Sequence, residues 1–566
     1  MNKKKAIVFV EPISTIWRVI SATAKRGYLP IIVFTNYDIY KENEVYEKLA
    51  LRNKTCKEME KDFAKIAKVI YQPKKYEELI SKLSAFEICG ILKGSDGGVK
   101  LGEQLSKTYG FKSNNNKFFD WALDKKIVND VLAKNKIRSI STVVATQTTD
   151  LEALIKKVKQ YPVFIKPKQG AGGVNSFAAY DKDMLATYLK QILSIKEHNV
   201  PLYDEILVQE LIGGDEYVVN TFSEDGEHYV VEVWKYVKTF THGGSSIYRQ
   251  TMLLKGNSIA KESVAKYAID VLDALDFKNG PCHMEVKLDP QGAVLIECNW
   301  RIMGGSQFYD TDITMGESTG EFYLDTVLDP NYCKNNIKNK FVEYHSYAEV
   351  LDIMPQVHGK IKRINVPYIL KKLKSYYTSV IFVNKGDTVI PATSIDEDLG
   401  NIQLRHKDYE VLKKDVDLFM EIEDHCLELL FEFEKPFMKR TTLPINSTPE
   451  IKVLEKFIGR NSVAIYSKQK VFNFEHMLKI KSLSTIPLTK YIVIDTSDIT
   501  TDIIKAYDWI DKLDKNVKKG TVVIFTNFSI NNAPIGFKYL MFLNNFDLLL
   551  PSHSHLIDDF SFWTKK

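Results

Sequence analysis

The sequence predicts a multidomain protein of the α/β and α+β classes. Short apolar runs alternate with helical spacing near the N-terminus, strand patterns dominate the middle, and a second alternating stretch follows a proline-containing segment. With 566 residues, 45% hydrophobic and 26% charged, the chain can bury several cores. The expected regions are an α/β domain over 1–112, a strand-rich α+β domain over 113–340, its C-terminal part over 341–435 and a small α/β domain over 446–566.

The N-terminal region has the pattern of a Rossmann-like domain. Apolar runs at 6–10 and 31–34 flank a stretch with helical spacing at 14–26, which predicts a βαβ unit. The first turn, 11–15, lacks the G-x-G-x-x-G pattern, so a dinucleotide site is only weakly indicated.

The C-terminal region has the pattern of a further parallel sheet. Before it, we expect a last helix of the preceding region at 417–433. No glycine-rich nucleotide turn and no cluster of acids or cysteines follows, so we expect a structural, dimerising or partner-binding role. The expected strands are 463–466, 492–494, 522–525 and 548–550, and the expected helices are 474–483, 503–513 and 537–544.

Charge and cysteine usage exclude several classes of protein. The net charge of +5 is small against 77 basic and 72 acidic residues, which gives no global case for nucleic acid or membrane binding. The six cysteines form no CxxC pair, which argues against a disulfide framework and a zinc knuckle. No apolar run approaches the roughly 18 residues of a membrane span. We expect a cytoplasmic protein.

The stretch 283–305 reads as two strands joined by a turn at 289–292. This hairpin would bring Glu285 and Glu297 side by side on one face, followed by Asn299. Two carboxylates about 4 Å apart repel by roughly 4 kcal/mol at an effective dielectric near 20, unless a proton or cation lies between them. Two acids and an amide suit Mg²⁺, with Mn²⁺ as an alternative. The hairpin therefore predicts a metal site that handles a phosphorylated nucleotide.

A lysine followed by a glycine loop offers a phosphate site. Lys166 ends a predicted strand and precedes Gly170, Gly172 and Gly173, whose N–H groups can approach phosphate without an intervening Cβ. The alternative is a solvated lysine beside an ordinary hairpin loop.

A second candidate lies at 209–216, where a strand is interrupted by two glycines. Backbone groups of this hinge could meet an adenine edge, and an acid could accept ribose hydroxyls. Pattern alone does not rank Glu210 above Asp215.

In this order, the features resemble the ATP-grasp superfamily. The set comprises Asp124-Lys125, Lys166 with its glycine loop, the hinge ending in Glu216, and Glu285 with Glu297-x-Asn299-x-Arg301. The segments 283–305 and 233–238 are most similar to carboxylate-amine ligases that join L-amino acids into dipeptides. The resemblance implies a pre-ATP-grasp domain followed by an ATP-grasp fold of two α+β lobes. Two residues depart from the pattern, because Cys298 stands where an aliphatic residue is usual and Trp300 where a smaller one is.

The resemblance also implies roles for individual residues. Lys125 and Lys166 would contact ATP phosphates. Glu210, Ile212 and Glu216 would hold adenine and ribose, and Glu285, Glu297 and Asn299 would hold Mg²⁺. Arg301, with the Gly304 and Gly305 N–H groups, would stabilise an acyl phosphate and the oxyanion that follows it. The expected cofactors are ATP and Mg²⁺, and the expected product is an amide bond between small amino acids.

The histidines give weaker signals. His283 could approach the incoming amine, although a lone histidine on a strand is more often a hydrogen-bonded structural residue. His242 fits an exposed turn as well as a substrate loop, and His553 with His555 lacks a third ligand for a metal.

Two other functions compete with the ligase. A biotin carboxylase-like enzyme would share the ATP residues, but Arg301 is followed by Ile-Met-Gly-Gly-Ser instead of the run that carboxylases carry. A nucleotide-binding regulatory or scaffold protein would have no reason to retain the acids and Arg301. The expected partners are small amino acids, with a homodimer as an option and neither nucleic acid nor membrane.

Overall fold

The structure is a computed structural model with two compact units. The first comprises 1–354, 380–383 and 392–409, and the second comprises 355–379, 384–391 and 410–566. The residues described are 3–12, 16–35, 65–115, 124–158, 160–168, 175–197, 200–240, 246–304, 318–355, 357–392, 397–434, 463–466, 477–479, 491–495, 503–517, 522–526, 546–548 and 561–565. Among these residues, no helix is both long and apolar enough to span a membrane.

The first unit opens with a parallel sheet in the order β3-β2-β1-β4. Its buried strands are nearly all apolar, as is usual when helices cover both faces of a parallel sheet. The elements are β1 (Lys5–Val10), α1 (Trp17–Lys25), β2 (Leu29–Phe34), β3 (Lys68–Tyr71), α2 (Tyr76–Leu83), β4 (Glu87–Lys93) and α3 (Asp96–Thr108).

A small lobe follows, in which helices cover an antiparallel sheet in the order β5-β10-β6-β7. Asp124 caps the first helix by accepting hydrogen bonds from the N–H groups of Lys126 and Ile127. The elements are α4 (Lys125–Lys134), β5 (Thr142–Thr146), α5 (Leu151–Lys157), β6 (Val163–Pro167), β7 (Phe177–Ala179), α6 (Lys182–Leu193), β8 (Lys196–Glu197), β9 (Val200–Pro201) and β10 (Glu205–Glu210).

The large antiparallel sheet of the first unit carries the candidate site. Its strands run in the order β15-β14-β11-β12-β13-β16-β20. The elements are β11 (Asp215–Glu224), β12 (Glu227–Phe240), β13 (Ser246–Leu253), α7 (Ile259–Ala274), β14 (Gly280–Asp289), β15 (Gly292–Asn299), α8 (Thr319–Leu328), α9 (Tyr332–Asn336), β16 (Tyr347–Asp352) and, after strands described below, β20 (Gly400–His406).

The two faces of this sheet differ sharply in chemistry. One face packs against α7 and contains Val219, Met284 and Val286 among its buried residues. Because side chains alternate along a strand, Glu285 and its cross-strand neighbours point to the other face. Burial of one face thus fixes the register that presents the acids on the opposite one.

The second unit contains two further sheets. The first has the order β19-β17-β21, and the C-terminal sheet has the order β23-β22-β24-β25-β27-β26, in which β22 to β25 are parallel and β27 is antiparallel. The elements are β17 (Gly359–Ile364), α10 (Val366–Leu370), β18 (Tyr376–Ile381), which crosses between the units, β19 (Thr388–Val389), α11 (Tyr409–Leu430), β21 (Phe431–Phe433), β22 (Val463–Tyr466), β23 (Met477–Lys479), β24 (Tyr491–Asp495), α12 (Ile503–Asn516), β25 (Val522–Thr526), β26 (Phe546–Leu548) and β27 (Ser561–Lys565).

Helix α12 attaches the C-terminal sheet to the segment that contains α10. Tyr368 donates a hydrogen bond to Asp508, and Lys372 forms an ion pair with Asp511. The rings of Tyr368 and Tyr507 pack edge to face with centroids 4.8 Å apart. These contacts make the C-terminal sheet part of one unit with that segment.

The α/β and α+β fold class is confirmed, and two expected helices need correction. The segment 474–483 contains β23, because Met477–Lys479 pairs in parallel with β22. The helix expected at 417–433 is α11, which starts earlier and ends at Leu430, where β21 leaves to pair with β17. The helix expected at 537–544 lies outside the described residues.

Candidate active site

The two acids expected to hold a metal are direct cross-strand partners. Glu285 on β14 pairs with Glu297 on β15, and His283 pairs with Asn299. Directly opposed side chains have Cβ atoms about 4.5–5.5 Å apart. The strand pairing therefore brings Glu285, Glu297 and Asn299 together, as the hairpin pattern predicts. Among the described residues, no three His, Cys, Asp or Glu side chains form a metal cluster, so this set of two carboxylates and one amide is the candidate.

A buried hydrogen-bond chain holds His283 beside the acids. Asn220 donates through Nδ2 to Glu232 Oε2 at 2.7 Å, so its Oδ1 accepts from His283 Nδ1 at 2.9 Å. His283 Nε2 lies 3.8 Å from Glu285 Oε1. Glu232 also accepts hydrogen bonds from Trp234 Nε1 and Thr319 Oγ1.

Glu285 is strongly acidic in this setting. Burial alone would raise the pKa of its carboxyl group, but the contact with His283 and the charges of Lys238 and Lys125 lower it to about 2. The carboxylate is therefore charged at neutral pH and ready to accept a cation.

Two lysines approach the acids from the small lobe. Lys125, the first residue of α4, places Nζ 3.1 Å from Glu297 Oε1. Lys166 lies on β6, where loss of hydration and the nearby charge of Lys125 lower the pKa of its ammonium group to about 8, although Glu297 and Glu285 act in the opposite direction. Cations and acids thus converge where a triphosphate and its metal would have to meet.

Glu216 and Lys238 form the next part of the same sheet face. Lys238 Nζ lies 2.6 Å from Glu216 Oε1 and 4.3 Å from the centre of the Tyr248 ring. The Ile212 carbonyl accepts a hydrogen bond from Lys287 Nζ at 2.8 Å. Glu216 and Ile212, both expected to hold the nucleoside, are buried and tied to lysines.

The two acids that pattern could not rank occupy different settings. Glu210 is exposed and accepts a long hydrogen bond of 3.4 Å from the Ser141 N–H. Asp215 is paired with Lys235 at 2.7 Å on the strand that follows. Glu210 is therefore the less engaged of the two.

Arg301 binds an acid from the first α/β domain. Its Nε and Nη2 donate to the two carboxylate oxygens of Asp96, at 3.1 and 2.8 Å, and its Nη1 donates to the Ile302 carbonyl at 3.1 Å. This pairing joins residues 205 positions apart. No motif in the sequence indicates a partner for Arg301, and only the fold supplies one.

Several expected residues cannot be placed. Gly170, Gly172, Gly173, Gly305 and His242 lie outside the described residues, as do His553 and His555. Gly304 is described and partly exposed, three residues after Arg301 and beyond the end of β15 at Asn299.

The two departures from the family pattern lie in the core. Cys298 packs against α7 with its Sγ 3.4 Å from that of Cys282. Trp300 is fully buried and packs edge to face on Phe277, with ring centroids 5.1 Å apart. Both residues therefore fill the interior instead of altering the site.

Sequence patterns missed four residues that shape the site. The sequence indicated only one of them in part, because Lys238 lies in the segment 233–238 that is similar to ligases. The other three are isolated polar residues in apolar or glycine-rich stretches. The missed residues are Asp96, Asn220, Glu232 and Lys238.

Comparison with known proteins agrees with this geometry. Residues 159–310 match the family described as ATP-grasp domain. The described part of that range contains Lys166, Glu285, Glu297 and Arg301. This match confirms the resemblance to the ATP-grasp superfamily that is drawn from the sequence.

Two curated relatives are named as a synthase and a ligase. Dapdiamide A synthase of Enterobacter agglomerans is 29% identical over 255 residues, which cover 45% of this chain and 60% of that protein. The L-arginine-specific L-amino acid ligase of Bacillus subtilis is 23% identical over 287 residues, 49% of this chain and 66% of that protein. The matches thus span less than two thirds of the length of either relative.

A solved structure supports the fold over a longer stretch. The L-amino acid ligase from Bacillus licheniformis superposes with a TM-score of 0.57 at 15% identity, covering 75% of this chain and 98% of that one. The chain therefore shares the ATP-grasp fold well beyond the range matched by the family.

Proposed function

We propose that this protein is an ATP-dependent carboxylate-amine ligase that forms an amide bond between small amino acids through an acyl phosphate. The observation that carries the proposal is the pairing of Glu285 with Glu297 on a sheet face that Lys125 and Lys166 also approach. The similarity to amino acid ligases of two Bacillus species and to dapdiamide A synthase supports the choice of substrate class.

The donor set fits ATP with a divalent cation. Glu285, Glu297 and Asn299 would hold Mg²⁺, since carboxylate and amide oxygens are the ligands that this hard cation prefers. The metal would neutralise part of the negative charge on the phosphate groups. Glu216 and the Ile212 backbone would bind the nucleoside. Mn²⁺ could replace Mg²⁺ at the same oxygen ligands.

The first chemical step would activate a carboxylate. Its oxygen attacks the γ-phosphorus of ATP, the bond to the β-phosphate oxygen breaks, and ADP leaves with that electron pair. Lys125 and Lys166 would hold the phosphoryl oxygens in line for this transfer and offset the charge that spreads over them.

The second step would form the amide. The free amine attacks the acyl carbon, the tetrahedral intermediate collapses with release of phosphate, and the amine loses one proton. Arg301 and the N–H group of Gly304 would donate hydrogen bonds to the oxyanion. Exclusion of water during this step would protect the acyl phosphate from hydrolysis.

A pairwise screen tests the proposal. The purified protein is incubated with ATP, Mg²⁺ and each pair of amino acids, and ADP, AMP and phosphate are measured while product masses are recorded. We expect ADP and phosphate release that depends on a specific pair, together with a product 18 Da lighter than the sum of the two amino acids, which is the mass of the water lost on condensation.

Other outcomes assign the site differently. AMP as product would exclude an acyl phosphate. Bicarbonate-dependent ADP release without amino acids would favour the carboxylase-like alternative. ATP binding with no release under any pair would favour a regulatory protein.

A further inference from the structure

The hydrogen bonds of Arg301 leave one part of its guanidinium group available. A guanidinium has five N–H donors. Three of them are used by the two Asp96 oxygens and the Ile302 carbonyl. Within the described residues, two N–H groups therefore remain, one on each terminal nitrogen. A pair of this kind matches the spacing of two oxygens on a carboxyl or phosphoryl group.

Asp96 is a suitable anchor because its own position is fixed. It is the first residue of α3, where the helix dipole favours a negative charge. The segment 94–98, which contains Asp96, lies directly on the turn after β1, since a Cβ at Gly94 would be 2.4 Å from the Glu11 carbonyl oxygen and one at Gly98 would be 2.5 Å from that of Val10. These glycines permit a backbone approach that no larger residue could make.

The turn beneath this segment is itself held in place. Glu11 adopts a positive φ of 51°, and its buried carboxylate accepts hydrogen bonds of 2.7 Å from both the N–H and the hydroxyl of Thr35. Such strained residues persist where the surroundings fix them. A rigid path therefore runs from the end of β2 through Glu11 to the segment that carries Asp96.

We propose that Asp96 is a positioning residue, which lets the first α/β domain orient Arg301 toward the reacting acyl group. This inference rests on the proposed ligase function. Asp96 holds one edge of the guanidinium by two charge-assisted hydrogen bonds, so the remaining N–H pair keeps one direction throughout the reaction. A geometric constraint of this kind affects turnover more than nucleotide binding, because ATP has other contacts.

The test compares D96N with a matched control. Asp325 pairs with Arg26 and also joins α8 to the first α/β domain, but its pair includes no residue of the candidate site. For the parent, D96N and D325N, kcat and KM are measured with the amino acid pair found in the screen. ATP affinity without amino acids and the thermal midpoint are also recorded. We expect kcat of D96N to fall by about 10- to 100-fold, with ATP affinity and KM for ATP within about twofold of the parent, while D325N retains parental kcat.

A double-mutant cycle separates positioning from a general loss of structure. If Asp96 acts through Arg301, D96N should change kcat by less than about threefold in an R301K background, because lysine cannot form the two-point contact. Equal effects of D96N in both backgrounds, parental kcat in D96N, or a loss of ATP affinity that matches the loss of kcat would each overturn the inference.

Failure of the ligase proposal has a different signature. If the parent releases no ADP with any pair, the proposed function and the positioning role of Asp96 both fail. The same cycle on thermal midpoints would then still report the contact, since D96N and R301K should be non-additive wherever the pair forms. If the parent is active and D96N equals it, only the role of Asp96 fails.

Discussion

Lys125 Nζ lies 3.1 Å from Glu297 Oε1, so the first residue of α4 touches the acid at the end of the β14–β15 hairpin. Under the proposed function, Lys125 would contact phosphate and Glu297 would hold the metal. Their contact here defines where those two functions would meet.

Replacing Glu297 by Gln should abolish metal-dependent turnover without unfolding the protein. The variant keeps the shape of the side chain but removes a charge that a divalent cation needs. We expect amino-acid-dependent ADP release to fall by at least about 100-fold, in the range reported for losing preorganised charge stabilisation. ADP release and thermal unfolding, measured side by side, check this expectation.

The control for that experiment is E227Q, which removes an exposed carboxylate paired with Lys340. Exposed pairs of this kind contribute only about 0–1 kcal/mol, so E227Q should match the parent in both measurements. Parental turnover in E297Q would show that the metal assignment is wrong.

We expect Lys166 to gain a proton when ATP binds at alkaline pH. The pKa of Lys166 is about 8 in the free protein, lowered by burial and by Lys125. Phosphate favours the charged ammonium, so the pKa must rise on binding. Below pH 8 the lysine is mostly charged before and after binding, whereas at pH 9 it is mostly neutral before and should gain a proton.

Calorimetric titration in buffers of different ionisation enthalpy measures this uptake. We expect little contribution from Lys166 at pH 7 and uptake approaching one proton at pH 9. K166R should bind ATP without the alkaline uptake, because a guanidinium stays charged throughout. Equal uptake by parent and K166R at pH 9 would assign the proton to another group.

Replacing Asn220 by Ala should weaken both stability and metal use. The change leaves His283 Nδ1 without its partner, whereas Glu232 Oε2 loses one donor and keeps the hydrogen bond from Trp234. An unsatisfied buried group costs about 1–3 kcal/mol, so the free energy of unfolding should fall by that amount. Partners that orient metal-side groups typically alter metal affinity 10–100-fold. We therefore expect a higher Mg²⁺ concentration at half-maximal ADP release.

Asn135 provides a matched comparison, since its Nδ2 binds only the Val131 carbonyl at an exposed helix end. N135A should leave the Mg²⁺ dependence unchanged. A parental Mg²⁺ profile in N220A would limit the hydrogen-bond chain to a structural role.

A buried ion pair should make the first unit sensitive to acid. Lys93 binds Glu103, whose carboxylate also accepts two hydrogen bonds from Asn114. Burial alone would raise the pKa of Glu103, but Lys93 and Asn114 lower it overall. The pair therefore stabilises the fold fully above the unfolded pKa of about 4.3, and this contribution is lost as pH falls through the folded pKa.

Urea unfolding of the parent and E103Q between pH 7 and about pH 2 checks the pair, because the loss occurs below the unfolded pKa. At pH 7 we expect E103Q to be less stable by about 3–5 kcal/mol, because Lys93 would remain buried without its counter-charge. The gap should narrow toward pH 4 and below. A difference that stays constant with pH would mean that Glu103 acts through shape and hydrogen bonding alone.

Much of the candidate site could be predicted from the sequence because its residues lie close together along the chain. Glu285, Glu297 and Asn299 lie on two strands joined by a tight turn, so the sequence predicts that they are close together. Strict alternation from that turn would pair Glu285 with Ile296, however, and a register shift between Glu285 and Val286 is what places Glu297 opposite Glu285. Lys166 follows the same logic, since a strand end that runs into glycines is visible without a structure. Their roles as phosphate and metal ligands remain predictions.

The remainder depends on contacts that local patterns do not encode. Asp96 reaches Arg301 across 205 positions, and Asn220 joins His283 only after β11 pairs with β14. The segment 474–483 looked helical because a three-residue strand leaves little period-two signal. In that case pairing with β22 decided the outcome, which no local propensity reveals.

The alternation of the β14–β15 hairpin divides its residues into two groups with separate consequences. Met284, Cys298 and Trp300 pack into the core beside α7, whereas Glu285, Glu297 and Asn299 face the cleft. The effects of substitutions along this hairpin should therefore alternate from one residue to the next. Substitutions on the acidic face should lower turnover in a well-folded protein, and substitutions on the core face should lower the amount of folded protein. A register shift of one residue would exchange the two groups and bury the carboxylates of Glu285 and Glu297 in the hydrophobic core.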